Sequence, residues 1–186
     1  GTSQINALTQ YQYFQTSRMQ PVAGYHMVLP LGNASFVSTP AEWNLGNGND
    51  PATSLDISAI SDPSALDSYS LVSSYWYVPD AITVDGVYVL MGGDTASTTD
   101  NLNFQVYSYA LDTSSNLGDL SGGTLVAGTV GPTGSFISDV HEDAIKYQSL
   151  ANTPTDVAAG RIILAAVEST GTDNISINMT VKYHIQ

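Results

Sequence analysis

Asn174-Ile-Ser-Ile-Asn-Met-Thr-Val-Lys-Tyr-His-Ile-Gln186 alternates without a fault. Ile175, Ile177, Met179, Val181, Tyr183 and Ile185 share one parity, and Ser176, Asn178, Thr180, Lys182 and His184 share the other. A period of two puts every apolar side chain on one sheet face and every polar one on the opposite face, whereas a helix would scatter them around its circumference. The segment before it, Gly160-Arg-Ile-Ile-Leu-Ala-Ala-Val-Glu168, is apolar on both parities, the pattern of a strand buried on both faces. Ser169-Thr-Gly-Thr-Asp173 joins the two, so the pair reads as a hairpin with one strand more deeply buried than the other. Burying five or six apolar side chains at ~1.5–3 kcal/mol each places the final strand inside a sheet and not on an edge.

The same reading extends upstream. Leu102, Phe104 and Val106 alternate with Asn103, Gln105 and Tyr107. Ile82 and Val84, then Val87, Val89 and Met91, form another strand whose phase slips at Asp85-Gly86, which suggests a bulge or turn. Residues 69–78 are aromatic and β-branched and stop at Pro79, which cannot donate to a ladder. Segments 11–16, 25–31, 124–130 and 145–150 complete about nine or ten strands at sandwich or barrel spacing. Gly92-Gly93 and Gly122-Gly123 read as turns, and Asp62-Pro-Ser-Ala-Leu-Asp-Ser68 offers one short helical turn at most. The longest loop is 39–54. The expected fold is all-β: a flexible segment over 1–10, then a single antiparallel jelly-roll-like β-sandwich with elaborated loops over 11–186.

Composition narrows the function. The 186 residues are 42% hydrophobic and 11% charged, with no cysteine and a net charge of -13. Arg18, Lys146, Arg161 and Lys182 are the only bases and form no cluster, so nucleic acid and anionic membranes are poor partners. Disorder is unlike this chain, whose polar content is mostly uncharged Ser, Thr, Asn and Gln. No apolar run approaches the ~18 residues of a spanning helix, so no membrane insertion is expected.

Residues that could carry chemistry are few. His141-Glu142-Asp143 are consecutive, and in a strand they would point to alternate faces, so they read as a polar turn and not a metal site. His26 and His184 read as surface or interface histidines. There is no G-x-S-x-G elbow and no thiol, and nothing marks a carboxylate pair as catalytic, so no catalytic residue and no enzyme activity are expected. No cofactor is implied. Loops 44–50 and 94–101 hold Asp and Asn oxygens suited to calcium, but they match no calcium motif and read as Asx turns. The sequons at Asn33, Asn174 and Asn178 carry little information. Aromatic side chains are what remains. Trp43, in the long loop, is a candidate glycan contact. Tyr75, Tyr77, Tyr107 and Tyr109 sit on strand positions that suggest a subunit interface, since amphipathic rings favour interfaces over bare surface.

The order of several segments resembles small structural proteins of tailed bacteriophages of aquatic bacteria. The segments are Tyr25-His-Met-Val-Leu-Pro-Leu-Gly32, Tyr75-Trp-Tyr-Val-Pro-Asp-Ala-Ile-Thr-Val84, Asn101-Leu-Asn-Phe-Gln-Val-Tyr-Ser-Tyr109 and Ala158-Ala-Gly-Arg-Ile-Ile-Leu-Ala-Ala-Val-Glu-Ser-Thr-Gly-Thr-Asp173, followed by the alternating strand. That resemblance implies a non-enzymatic virion protein on the particle surface: a capsid decoration, a head fibre or a tail-associated component. It further implies a homo-oligomer, a trimer by preference, contacting other virion proteins. The alternative reading is a lectin-like module that binds host surface glycans.

Overall fold

The computed structural model describes residues 8–29, 31, 51, 72, 74–96, 101–111, 120–128, 137–150 and 153–186. Ten strands run through them: β1 (Thr9–Met19), β2 (His26–Leu29), β3 (Trp76–Val78), β4 (Ile82–Gly93), β5 (Leu102–Leu111), β6 (Leu120–Gly128), β7 (Lys146–Ser149), β8 (Thr155–Val157), β9 (Arg161–Ser169) and β10 (Ile175–Ile185). They form two antiparallel sheets. Sheet I has the order β1-β10-β4, with β7 and β8 both on the far edge of β4; sheet II has β2 and β3 on one edge of β9, followed by β5 and β6. If β2 with β3 and β7 with β8 are each counted as one interrupted strand, eight strands pass from one sheet to the other at every connection except that between β5 and β6, which pair within sheet II. The first and last lie side by side, which is the wrapped order of a jelly roll.

β10 is internal as its alternation requires, with β1 on one side and β4 on the other. Ile175, Ile177, Met179 and Val181 are all buried facing sheet II, and Trp76 of β3 meets Tyr183 edge to face with ring centroids 4.8 Å apart. That contact fixes the inner face of sheet II as the parity of Trp76, Ile163, Ala165 and Val167, because Trp76 lies opposite Ile163. Phe14 of β1 and Phe104 and Val106 of β5 complete the same core.

The phase slip in β4 is a bulge. Val87 pairs with Val181 and Gly86 with Lys182, but the next partner of β10, Tyr183, lies opposite Val84, so Asp85 is the extra residue. The extra residue turns Ile82 and Val84 to the same side as Val87, Val89 and Met91, and all five are buried. Gly86 makes room for the Tyr88 side chain, which would have to shift for any larger residue. A Cβ at that position would stand 2.6 Å from the Tyr88 hydroxyl, whose ring lies across it.

Several expectations are corrected. β9 and β10 are not a hairpin: β9 lies in sheet II and β10 in sheet I, so the five-residue connection crosses from one layer to the other. Thr170 N donating to Asn101 O and Asp94 N donating to Asn174 O anchor its two ends to different neighbours. The glycine pairs are not turns. Gly92 and Gly93 close β4, and Gly122 and Gly123 lie within β6 beside a register shift against β5, where Gly122 has φ 57°. β1 starts at Thr9, inside the segment expected to be flexible, and the short β8, which pairs with Ile82 to Val84, has no strand signature in the sequence. The helical turn at 62–68 and most of the 39–54 loop lie outside the described residues. No described helix is long and apolar enough to cross a membrane.

Candidate functional site

The outer faces of the two sheets differ. In sheet II both parities of β9 and β5 are buried: Ile162, Leu164 and Ala166, which point away from sheet I, are as inaccessible as Ile163, Ala165 and Val167. The outer parity also carries a buried polar group. His26 lies opposite Glu168, which lies opposite Asn103, and His26 Nε2 stands 3.3 Å from Glu168 Oε2. Gln105 Nε2 donates to Asn103 Oδ1 at 3.2 Å. At 5% exposed, His26 is not the surface histidine the sequence suggested, because its strand docks beside β9 and pairs it with a carboxylate.

Tyr109 shares that parity and is fully buried, which removes it from the proposed subunit-interface tyrosines: both faces of its strand are covered, so the ring is part of the packing. Tyr107 stacks beside it at 5.9 Å and packs with Tyr75 against the core. Burial pushes the Tyr75 phenol up to about 12, and its buried hydroxyl finds no hydrogen-bond partner among the described residues. Only Tyr77 of the four is well exposed, and it stands on the outer face of sheet II at β3, with exposed Leu125 on β6 at the other side of β9 and β5. Trp43 lies outside the described residues, as does the calcium candidate at 44–50.

The polar groups elsewhere brace the fold. Asn174 Nδ2 donates to Asp94 Oδ2 at 2.7 Å, tying the start of β10 to the end of β4, in the second calcium candidate. His141 Nδ1 accepts from the Asp143 amide, so this segment is the polar turn expected. His184 Nδ1 lies 2.8 Å from Oδ2 of Asp85, the bulge residue. Arg161 donates from Nε to Ser108 Oγ and from Nη2 to the carbonyls of Ser108 and Gly122, joining β9, β5 and β6. Among the described residues no cluster of three or more His, Cys, Asp or Glu could hold a metal ion.

Sheet I is open on its outer side. The register places Gln15, Asn178, Leu90 and Tyr147 in one row across β1, β10, β4 and β7, and Tyr13, Thr180, Tyr88 and Ser149 in the next. Tyr11 and Lys182 follow in a third row, and Ser176 and Gly92 pair on the opposite side. Tyr11 and Tyr13 are each about half exposed, and their rings lie 6.1 Å apart and nearly parallel, at 19°. Leu90, Tyr147 and Ile145 are exposed opposite them, Ile145 at 80%. A groove of about 630 Å³ lies on the other side of the Gln15 row from Tyr13, lined by Gln15, Thr16, Leu90, Gly92, Ile145, Ser176 and Asn178, with Met91 and Ile177 beneath; Tyr13 and then Tyr11 follow Gln15 along β1, outside the lining. Its lining contains no charged side chain. The floor is low because Ser176 and Gly92 are small: a Cβ on Gly92 would meet nothing within 4 Å.

Sequence reasoning located β1 but not its role. The signal was present in Tyr11-Gln-Tyr-Phe-Gln15, where two rings fall on the parity opposite Phe14, the side chain the core takes. The groove itself needs β10, β4 and β7 in register beside β1, and no local pattern reports that.

No family model and no curated protein matches the chain. Among solved structures, the CBM22-1–GH10 modules of the N-terminal endo-1,4-β-D-xylanase 10B of Clostridium thermocellum, complexed with xylohexaose, are similar over 60% of this chain, with 8% identity and a TM-score of 0.31. The match takes in 18% of that chain, and a likeness so distant supports no inference about binding or activity.

Proposed function

We propose that the chain is a non-enzymatic structural protein of a tailed-bacteriophage particle, displayed on the particle surface and acting by surface contact rather than by chemistry. The observation that carries the contact reading is the outer face of sheet I, which exposes Tyr11, Tyr13, Leu90, Ile145 and Tyr147 and holds a groove with no charged side chain in its lining, in a chain of net charge -13. The virion assignment draws on the sequence resemblance. The wrapped strand order agrees with it by fold analogy, since jelly rolls serve in viral capsids and in lectins alike. Assembly is into a homo-oligomer, a trimer, whose subunits meet around Tyr77 and Leu125 on the outer face of sheet II. Subunits of like charge repel, so the contact avoids the Asp-bearing loops and tightens with ~0.1 M or more salt.

Light scattering of the purified chain in moderate salt tests the assembly, with about three times the 19.6 kDa chain mass expected. Immunogold labelling of intact phage particles with an antibody to the chain tests the location. A monomer at every concentration that also leaves particles unlabelled would overturn the reading.

A further inference from the structure

We propose that the outer face of sheet I binds a neutral oligosaccharide that runs from the groove, where Gln15, Thr16, Ser176 and Asn178 hydrogen-bond its hydroxyls, onto the exposed Tyr13 and Tyr11 rings next along β1, which stack on sugar C–H faces. The inference deepens the proposed function and rests on it only in taking the chain to act by surface contact.

Charge excludes one class of ligand. The groove lining has no charged side chain, and although Lys182 stands beside Tyr11, the chain carries a net charge of -13, so sulfated, sialylated or uronate-rich glycans meet a repulsive field overall. An uncharged ligand gives up nothing by entering. Amides and hydroxyls both donate and accept, which matches the hydroxyls of a neutral sugar. A sugar ring is amphipathic in the same sense as the site: apolar C–H faces fit Tyr11, Tyr13 and Leu90, while equatorial hydroxyls reach Gln15 and Asn178, which lie side by side on β1 and β10.

Charge argues against the competing occupant, a second copy of the same face: two chains of net charge -13 repel, whereas a neutral sugar does not, and the scattering mass of Tyr13→Ala tells the two apart. An added strand is excluded as well, because β10 and β4, which form the floor, have partners on both edges. The two rings are already held nearly parallel, so little ordering entropy is lost when a ligand stacks on them.

Gly92 supplies a test that leaves the fold alone. Its Cβ position is open and it lines the groove, so Gly92→Leu starts without a clash, places its side chain in the groove and adds a better strand former. The full chain would be titrated calorimetrically with cellohexaose and mannohexaose and screened on an array of neutral glycans, with heparin as the anionic control. Binding of at least one neutral glycan and none of heparin is expected. Tyr13→Ala and Gly92→Leu should each weaken it about tenfold or more, with the β-type far-UV spectrum and the scattering mass unchanged. The proposal is overturned if no neutral glycan binds at up to ~1 mM, if binding survives both substitutions, or if Tyr13→Ala lowers the scattering mass, which would make the face a subunit contact. Absence of glycan binding from a chain that still assembles and labels particles removes this inference alone. Glycan binding that both substitutions weaken, by a chain that neither assembles nor labels particles, supports the groove and removes the virion reading.

Discussion

β9 and β10 are separated by one short connection, yet they solve opposite problems. β9 is apolar on both parities and sits in a sheet buried on both sides; β10 alternates and sits in a sheet whose outer side meets solvent. Both lie in the middle of their sheets, so the difference is not one between edge and centre. It concerns the second face, and it shows which central strand leaves a whole polar parity to solvent: the one that alternates.

Four measurements would break or sharpen that contrast. The largest effect is expected at Leu164, fully buried on the outer parity of β9. Leu164→Ala should cost about 2–5 kcal/mol in chemical denaturation, as in a core, because that face is packed. A loss below ~1 kcal/mol would mean that the outer side of sheet II is no more demanding than that of sheet I. Arg161→Ala should cost about 1.5–3 kcal/mol, since it strips hydrogen bonds from the Ser108 and Gly122 carbonyls where three strands of the buried sheet meet.

Tyr75 gives a pH test. Its phenol is held near 12 by burial while the unfolded chain ionises near 10, so the unfolded state loses its proton first. Stability is unaffected below pH 10 and falls as pH rises from about 10 to 12. Tyr75→Phe should abolish that fall in thermal melts and leave stability at neutral pH unchanged or slightly higher, because the buried hydroxyl has no described partner to lose. The smallest effect belongs to the open face, where Leu90→Thr should change stability by no more than about 0.5 kcal/mol.

What the sequence revealed follows the same line. The alternation of 174–186, the doubly apolar run before it and the phase slip at Asp85-Gly86 are local patterns, and each became a central strand, a twice-buried strand and a bulge. Which sheet each strand joins is not local. A five-residue connection is long enough for a hairpin and long enough to cross between layers, so local pattern does not distinguish the two, and the chain crosses after Ser169. Tyr109 and His26 were misplaced for a related reason. Their neighbours alternate as if one face were wet, and only the assembled sheet shows that it is not. Of the binding face, Tyr11 and Tyr13 were visible as a strand, but the groove beside them comes from residues on four strands brought into register.

The pairing of β1 with β10 governs the order in which the molecule can form. Tyr13 finds its neighbour in Thr180, so β1 has no partner in its sheet until β10 has been made. Loop-closure entropy of that size must be met before any contact rewards it, and folding falls in the slow, millisecond-to-second class of non-local β topologies. Until then, a long strand bearing Tyr11, Tyr13 and Phe14 waits on the nascent chain with its backbone unpaired, a template for the wrong neighbour. High yield from rapid synthesis is therefore expected to depend on keeping that first strand apart from other copies until the last one arrives.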